Sequence, residues 1–319
     1  MTARQSNLWW TSAREHCETT PLSEDISVDL VIIGGGFTGT SAAYHAALRG
    51  ASVCLLEAEA IGYGGSGRNV GLVNAGLWLP PETIIEQLGE EAGTRLISVL
   101  GDGPRRVFEI IEKEGIDCEA THKGTLHLAH SPSGLKDLQE RYRQGRKFGA
   151  PVELLDAAET ARRTGTGVYH GSLLDPRAGT IQPFAYCHGL ARSARKNGAR
   201  IHDRSTVTSV TRKGDRWEVV ANGRTVLAKF LLLATNAYQV GIDLPFEPSY
   251  TAVSYCQFAT APMPEKARQQ ILPGGEGCWD TALVMSSFRI DQAGRLIVGG
   301  IGNTEGPAAP IHASWGRRK

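Results

Sequence analysis

The order of apolar and polar stretches near the start of the chain predicts a strand, a turn, a helix and a second strand. The four segments are an apolar run, a glycine-rich turn, an alanine-rich stretch and a second apolar run: residues 28–33, 34–39, 40–49 and 51–56. Gly50 ends the predicted helix, and Glu57 closes the second strand. A strand–turn–helix–strand unit of about thirty residues is the arrangement with which a dinucleotide-binding fold begins.

The remaining sequence alternates between helical and strand-like patterns. Apolar spacing predicts helices over residues 81–114, 135–148 and 183–197, and a strand over 124–129. Short strands joined by turns follow at residues 200–202, 206–211, 217–221, 225–227 and 230–234. The chain is strand-like again after residue 245, so the pattern as a whole indicates an α/β protein.

Composition narrows the class of protein. The 319 residues are enough for about two domains at roughly 150 residues each. A net charge of +1 gives no bulk attraction to nucleic acid, and no apolar run reaches the ~20 residues of a membrane helix. The start of the chain has no secretion-signal pattern, and the six cysteines form no CxxC pair. We therefore expect a cytoplasmic protein with reduced cysteines that binds small molecules, without a nucleic-acid partner or a membrane span.

The glycine-rich turn carries the first chemical signal. Gly34-Gly35-Gly36-Phe37-Thr38-Gly39 matches G-x-G-x-x-G directly after a strand and at the start of a helix. Gly34 permits the tight turn, Gly36 lets a pyrophosphate approach the backbone, and Gly39 lets helix and strand pack closely. Glu57 is placed to accept hydrogen bonds from ribose hydroxyls. The alternative is a glycine-rich turn without a ligand.

Two further segments carry weaker signals. The loop at residues 62–71 contains Ser66, Gly67, Arg68 and Asn69, whose backbone amides and side chains could contact a phosphate or a flavin ring. Taken alone, the same segment is equally consistent with a mobile surface loop. The run at residues 231–238 ends in small residues from Ala234 onward, as in a strand that passes under a cofactor, although read alone it is an ordinary core strand.

Together these segments resemble the glycine/D-amino-acid oxidase (DAO) family of flavoproteins, and within it the gamma-glutamylputrescine oxidoreductase group. The resemblance begins at Leu8-Trp9-Trp10 and extends to residues 294–300. It implies FAD as cofactor and assigns residues to each part of it. The pyrophosphate would lie on Gly34, Gly36, Phe37, Thr38 and Gly39, the adenosine ribose on Glu57, the adenine by the backbone of Val207, and the flavin near Ser66, Gly67, Arg68 and Asn69. Ala58 and Ala234 are expected to contact the cofactor as well, without an assignment to one part of it.

The resemblance also implies a reaction and a domain plan. A C–N bond of an amine or amino acid would be oxidised by hydride transfer to flavin N5, the imine would be hydrolysed, and oxygen or another acceptor would take the electrons. The three-layer, Rossmann-like FAD domain would comprise residues 28–80 and 166–239. A substrate domain with a mixed or antiparallel sheet would comprise 81–165 and 240–310, between an N-terminal arm (1–27) and a tail (311–319). Family chains continue further, so the C-terminal part of the FAD domain is expected to be missing here.

The sequence says less about the residues that bind the substrate. His127, Tyr255 and Arg289 are candidates for the substrate pocket, with core or surface positions as the alternative for each. His122, His127 and His130 lie close in sequence but lack a completing ligand set, so no metal site is expected. No catalytic acid or base stands out. Two other functions stay open: an FAD-binding fragment without full activity, and an NAD-linked dehydrogenase.

Overall fold

The computed structural model describes residues 7–238, 242 and 255–301, and these residues divide into two compact units. The first unit runs to Asn69, adds Lys113–Cys118, and resumes at Gln182. The second takes Val70–Glu112, Glu119–Ile181 and the described residues from 255 onward. The first six residues of the predicted arm, the predicted tail, and residues 239–241, 243–254 and 302–310 lie outside the described residues.

A six-stranded sheet forms the centre of the first unit. Its strands are β1 (Ile26–Ile33), β2 (Val53–Leu56), β8 (Arg200–His202), β9 (Val207–Lys213), β10 (Arg216–Ala221) and β11 (Arg224–Leu233). The order is β8-β2-β1-β11-β10-β9, in which β8, β2, β1 and β11 are parallel and the last two pairings are antiparallel. The chain moves from β1 to β2 on one side and later places β11 on the other, so β1 and β11 form a topological switch point.

The described residues of the first unit also form the helices α1 (Leu8–Ser12), α2 (Phe37–Ala47) and α8 (Pro183–Lys196). Helix α8 begins where a proline at its first position follows Gln182, whose side chain accepts a hydrogen bond from Ala185 N. It packs against α2, and most of its first three turns are buried. At Gly189 a Cβ atom would lie within 3 Å of the Ile116 side chain, so Lys113–Cys118 packs tightly on α8.

The second unit is built on a seven-stranded sheet of order β12-β15-β14-β13-β4-β6-β5. These strands are β4 (Thr125–Leu128), β5 (Glu153–Leu155), β6 (Ser172–Asp175), β12 (Tyr255–Ala259), β13 (Gly277–Asp280), β14 (Ser287–Ile290) and β15 (Leu296–Ile301). Among the pairings of the described strands in this sheet, only the one between β13 and β4 is parallel. A two-stranded sheet pairs β3 (Leu72–Val73) with β7 (Gly179–Thr180). The helices are α3 (Pro81–Leu88), α4 (Glu90–Gly101), α5 (Gly103–Glu114), α6 (Pro132–Lys147), α7 (Ala157–Thr164) and α9 (Glu265–Arg268).

The α/β class, with a Rossmann-like first unit and a mixed, mostly antiparallel second sheet, is confirmed. The helical pattern predicted over residues 81–114 forms three consecutive helices, α3, α4 and α5, and Gly89, with φ +80°, separates the first two. The two strands predicted at 225–227 and 230–234 form one strand, β11, which pairs with β1 on both sides of Lys229. Within the described residues, no helix is both long and apolar enough to cross a membrane.

Candidate cofactor site

The glycine-rich turn lies at the switch point between β1 and β11. Gly34 follows β1 with φ +111°, and its N–H donates to the Leu56 carbonyl at the end of β2 (2.8 Å). A Cβ atom on Gly34 would lie 2.5 Å from the Ala234 carbonyl oxygen, so only glycine fits beside the end of β11. Ala234 N in turn donates to the Ile33 carbonyl (2.8 Å). The segments predicted at 34–39 and 231–238 are therefore direct neighbours.

The N-terminus of α2 has the features of an anion site. Its N-cap is Gly36, which has no capping side chain, and no acidic residue occupies its first turn. The first intrahelical bond runs from Thr40 N to the Gly36 carbonyl (3.0 Å), so the amides of Thr38 and Gly39 have no acceptor within the helix. Such amides at the positive end of the helix dipole suit a phosphate.

Glu57 ends β2 beside this turn, with its carboxylate directed at backbone donors. Oε2 accepts a hydrogen bond from Gly35 N (2.6 Å), and Oε1 accepts one from Glu59 N (2.9 Å). Burial raises the pKa of the Glu57 carboxyl above its ordinary value, and the two backbone N–H donors oppose that rise. A carboxylate has about four acceptor positions, so two hydroxyl donors can still be accommodated. The adjacent Ala58 is exposed.

The predicted adenine position lies near Glu57 in the fold. Ser205 N donates to the Glu57 carbonyl (2.8 Å), and two residues further on Val207 begins β9. The Val207 side chain is buried in the core of the sheet, so only its backbone is available to a ligand. Glu57 and Val207 thus belong to adjoining chain segments at one end of the sheet.

The loop at residues 62–69 is fastened to the glycine turn. Gly62 N donates to the Gly35 carbonyl (3.0 Å), and Phe37 N, at the start of α2, donates to Ser66 Oγ (3.0 Å). Gly67 is buried, and a Cβ atom there would overlap the Gly62 carbonyl oxygen. The structure therefore brings Ser66 and Gly67 to the helix N-terminus, which spacing alone did not establish.

The last two loop residues differ in their environments. Asn69 Nδ2 donates to the carbonyls of Gly65 (3.0 Å) and Ser66 (2.9 Å), which closes the turn. Arg68 is exposed, and its guanidinium lies 4.4 Å from the centre of the Tyr63 ring, a cation–π contact. Its charge is therefore held on the outer side of the loop.

Sequence reasoning did not assign a role to several residues that support the loop. The Tyr238 ring lies against Gly64, where a Cβ atom would be 3.0 Å from it. His188 on α8 accepts from Cys17 N at Nδ1 (3.0 Å) and donates from Nε2 to the Ile61 carbonyl (3.1 Å). Burial lowers the pKa of His188 to about 4, which keeps the neutral ring in place. Apolar spacing predicted the helix that forms α8, but not its contacts with the loop.

A glycine turn at a topological switch point, opposite a carboxylate that ends the second strand, defines a dinucleotide-binding protein. Residues 29–317 match the model of the family described as DAO, FAD dependent oxidoreductase. The chain is 30% identical over 305 residues to gamma-glutamylputrescine oxidoreductase of Escherichia coli (strain K12), which covers 94% of this chain and 70% of that protein. It is 32% identical to the probable oxidoreductase OrdL of Rhizobium meliloti, over 85% of this chain and 63% of that protein. The chain belongs to the DAO family of FAD-dependent oxidoreductases.

Solved structures agree on the fold. The L-proline dehydrogenase of P. horikoshii superimposes with a TM-score of 0.68 at 21% identity, covering 91% of this chain and 74% of that one. The glycine oxidase of Geobacillus kaustophilus gives 0.65 at 20% identity, covering 87% and 73%. The predicted fold class and family are thus confirmed, and with the family its cofactor, FAD.

The geometry and the hydrogen-bonding groups of this site fit FAD. The turn has no Cβ at Gly34, Gly36 or Gly39, where a methyl group would contact Ala234, Ser66 and Gly34 respectively. It presents amide donors at a helix N-terminus for a pyrophosphate, and the half-buried Glu57 carboxylate offers acceptors for ribose hydroxyls.

The three candidate substrate residues lie on one face of the second unit's sheet. His127 pairs with Trp279, Trp279 pairs with Ser287, and Arg289 lies two residues further along β14. Ser287 also pairs with Gly299 on β15, and Gly299 pairs with Gln257 on β12. Tyr255 lies two residues before Gln257, so its side chain is on the same face. The opposite face is the apolar core of the unit, formed by Leu126, Leu128, Leu174, Leu272 and Cys278.

The environments of these candidates differ sharply. His127 is buried and stacked on Trp279, with ring centroids 3.5 Å apart. Burial, with a smaller contribution from Arg141, lowers the pKa of His127 to about 3. Arg289 is 1% exposed, and its Nη1 donates to the Ile181 carbonyl (2.8 Å). Tyr255, at the edge of the sheet, is 61% exposed.

The buried His127 predicts a specific pH dependence of stability. An unfolded histidine takes up a proton near pH 6.5, whereas folded His127 stays neutral to about pH 3. The unfolded state therefore binds more protons between these values, and stability falls as the pH is lowered, by up to about 1.4 kcal/mol per pH unit. We expect His127→Phe, which keeps a ring on Trp279, to have a shallower pH slope in urea unfolding followed by tryptophan fluorescence. Identical slopes for the two proteins would contradict this account.

The histidines that invited a metal interpretation are separated by their contacts. His122 stacks on Phe108 and donates to the Arg177 carbonyl (2.9 Å), while His130 bonds to the Thr281 hydroxyl (2.7 Å). Among the described residues, no three His, Cys, Asp or Glu side chains are arranged to hold a metal ion.

Proposed function

We propose that this chain is an FAD-dependent enzyme that oxidises a C–N bond of a small amine or amino acid. The proposal rests mainly on the way the glycine turn, Glu57 and the 62–69 loop are joined. Gly35 N donates a hydrogen bond to the Glu57 carboxylate, and Phe37 N donates one to Ser66 Oγ. We assign FAD binding to the first unit and substrate binding to the second, which gives a functional meaning to the predicted domain plan.

The roles of the cofactor-site residues follow from their atoms. The amides of Thr38 and Gly39 would hold the pyrophosphate, and the Glu57 carboxylate would accept hydrogen bonds from the adenosine ribose. The backbone at Val207 would meet the adenine, and the 65–69 turn would contact the flavin. When bound, FAD supplies the acceptor at N5 for a hydride from the carbon beside the amine.

The substrate side is proposed on the polar and aromatic face that contains His127, Trp279 and Tyr255. The amine must lose its proton before hydride departure, and an apolar, water-poor surface favours its neutral form. His127 remains neutral near pH 7 because burial lowers its pKa, so it adds no positive charge that would repel an amine. The buried Arg289 would support the sheet through the Ile181 carbonyl.

Amine-dependent reduction of bound flavin tests this function. Protein reconstituted with FAD would be mixed, in the absence of oxygen, with gamma-glutamylputrescine, glycine, sarcosine and L-proline, the compounds after which related enzymes are named. We expect at least one to abolish the visible flavin absorbance, and readmitted oxygen or an artificial acceptor to restore it. Detecting hydrogen peroxide would identify oxygen as the acceptor. Folded, FAD-loaded protein that no amine reduces would refute the oxidase proposal.

A second candidate is an FAD-binding protein without turnover, and one observation favours it. Strand β10 pairs with β11 only up to Ala228. Beyond that residue, from Lys229 to Leu233, β1 is the only strand among the described residues that pairs with β11. Phe230 in that stretch is 66% exposed. This candidate predicts tight FAD binding without amine-dependent reduction. An NAD-linked dehydrogenase predicts NADH binding in place of FAD and gives the 62–69 loop no role.

A further inference from the structure

The short helix α1 packs on the elements that surround the cofactor loop. Trp10 lies on Phe184 of α8, with ring centroids 4.9 Å apart. Phe184 in turn lies against Gly62 and Gly67, where Cβ atoms would be 3.5 Å and 2.9 Å from its ring. The N-terminal segment therefore contacts the support of the 62–69 loop.

Trp9 makes the direct connection to that loop. Its side chain is 3% exposed, and its indole Nε1 donates to the Asn69 carbonyl (2.9 Å) across sixty residues of sequence. The bond is partly buried, and a hydrogen bond contributes about 0.5–1.5 kcal/mol, so the position of Asn69 is coupled to that of the indole.

The other side of Trp9 is fixed by α8. Its backbone carbonyl accepts a hydrogen bond from Gln182 Nε2 (2.7 Å). Gln182 is fully buried, and its Oε1 caps α8 by accepting from Ala185 N (2.7 Å). The indole is thus held between a capped helix end and the cofactor loop.

The contacts continue from Asn69 to the start of α2. The Asn69 side chain donates to the Gly65 and Ser66 carbonyls, and Ser66 Oγ accepts from Phe37 N. A displacement of Asn69 therefore moves the hydroxyl that meets the helix N-terminus where the pyrophosphate is proposed to bind.

We propose that Trp9 is a positioning residue for FAD: its N–H holds the Asn69 carbonyl and so sets the geometry of the Ser66–Asn69 turn. This inference rests on the proposed function, because it requires that turn to contact the cofactor. The arm at the start of the chain then belongs to the cofactor site, although it contributes no atom to the proposed contacts with FAD.

The test compares two tryptophans that are adjacent in sequence. Trp9→Phe removes the N–H and keeps an aromatic ring, and Trp10→Phe makes the same chemical change where the described residues offer the indole N–H no hydrogen-bond acceptor. FAD dissociation constants are measured on apoprotein by quenching of flavin fluorescence. We expect Trp9→Phe to raise Kd about tenfold, as for one lost hydrogen bond, and Trp10→Phe to stay within about twofold.

A second variant separates the hydrogen bond from packing. Trp9 is replaced by its benzothienyl isostere, which has sulfur in place of the N–H and keeps the bicyclic shape. This variant also tests the hydrogen bond if Trp9→Phe does not fold. Hydrogen exchange of the 62–69 peptide is read in parallel, with faster exchange expected in both Trp9 variants. Wild-type affinity for the isostere, or an equal loss in Trp10→Phe, would overturn the inference alone. Wild-type protein that binds no FAD would refute the proposed function itself.

Discussion

Gly39→Ala is expected to abolish tight FAD binding. A Cβ atom at residue 39 would overlap the Gly34 carbonyl oxygen and lie 3.0 Å from its carbon. Both atoms are backbone within the turn, so no side chain can move aside, and the start of α2 must shift from β1. Overpacking of this kind costs about 1–3 kcal/mol, and the upper end corresponds to a roughly hundredfold rise in Kd for FAD.

A matched glycine separates this effect from a general one. Gly103, at the start of α5, has no atom within 4 Å of its Cβ direction. Gly103→Ala should leave FAD affinity unchanged and alter the free energy of unfolding by no more than about 1 kcal/mol. Fluorescence titration and urea unfolding are measured on both variants. Gly39→Ala protein that binds FAD like the wild type would mean that the glycine turn does not form the cofactor site.

The second large effect is expected for Glu57→Gln. The substitution keeps the shape of the side chain, but places an amide group where both carboxylate oxygens now accept backbone N–H groups. It also removes the charge that would accept the ribose hydroxyls. Hydrogen bonds to a charged group contribute about 1.5–3 kcal/mol, so Kd for FAD should rise between roughly 10-fold and 100-fold.

The same residue predicts how FAD affinity depends on pH. The ionised carboxylate is the accepting form, and burial raises its pKa above the ordinary value of 4.5. Wild-type affinity should therefore weaken with falling pH, beginning above pH 4.5, while Glu57→Gln should lack this dependence. Glu153→Gln, the same change at an exposed carboxyl in the second unit, is the control. Equal affinities and equal pH profiles for the wild type and Glu57→Gln would show that Glu57 does not bind FAD.

The part of the site that the sequence predicted is the part built from local contacts. The glycine turn, α2 and Glu57 lie within one βαβ unit, where strand and helix periodicity and the spacing of glycines determine the geometry. The fold class followed from the same alternation. The attachment of Ser66 to the N-terminus of α2 spans 29 residues, and the family resemblance rather than spacing brought it near the flavin.

The remainder depends on long-range packing that no local pattern encodes. The bond from Trp9 to Asn69 joins distant segments, and Lys113–Cys118 joins the first unit because Ile116 packs on Gly189 of α8. The common face of His127, Tyr255 and Arg289 depends on strand order. That order pairs β13 with β4 in parallel, although about 150 residues separate them.

The decisive measurement is an equilibrium titration of purified apoprotein with FAD, with NADH as the competing ligand. We expect saturable binding of one flavin per chain that survives gel filtration, gives yellow protein and is not displaced by NADH. Folded protein that stays colourless in excess FAD, or that binds NADH at this site instead, would contradict it.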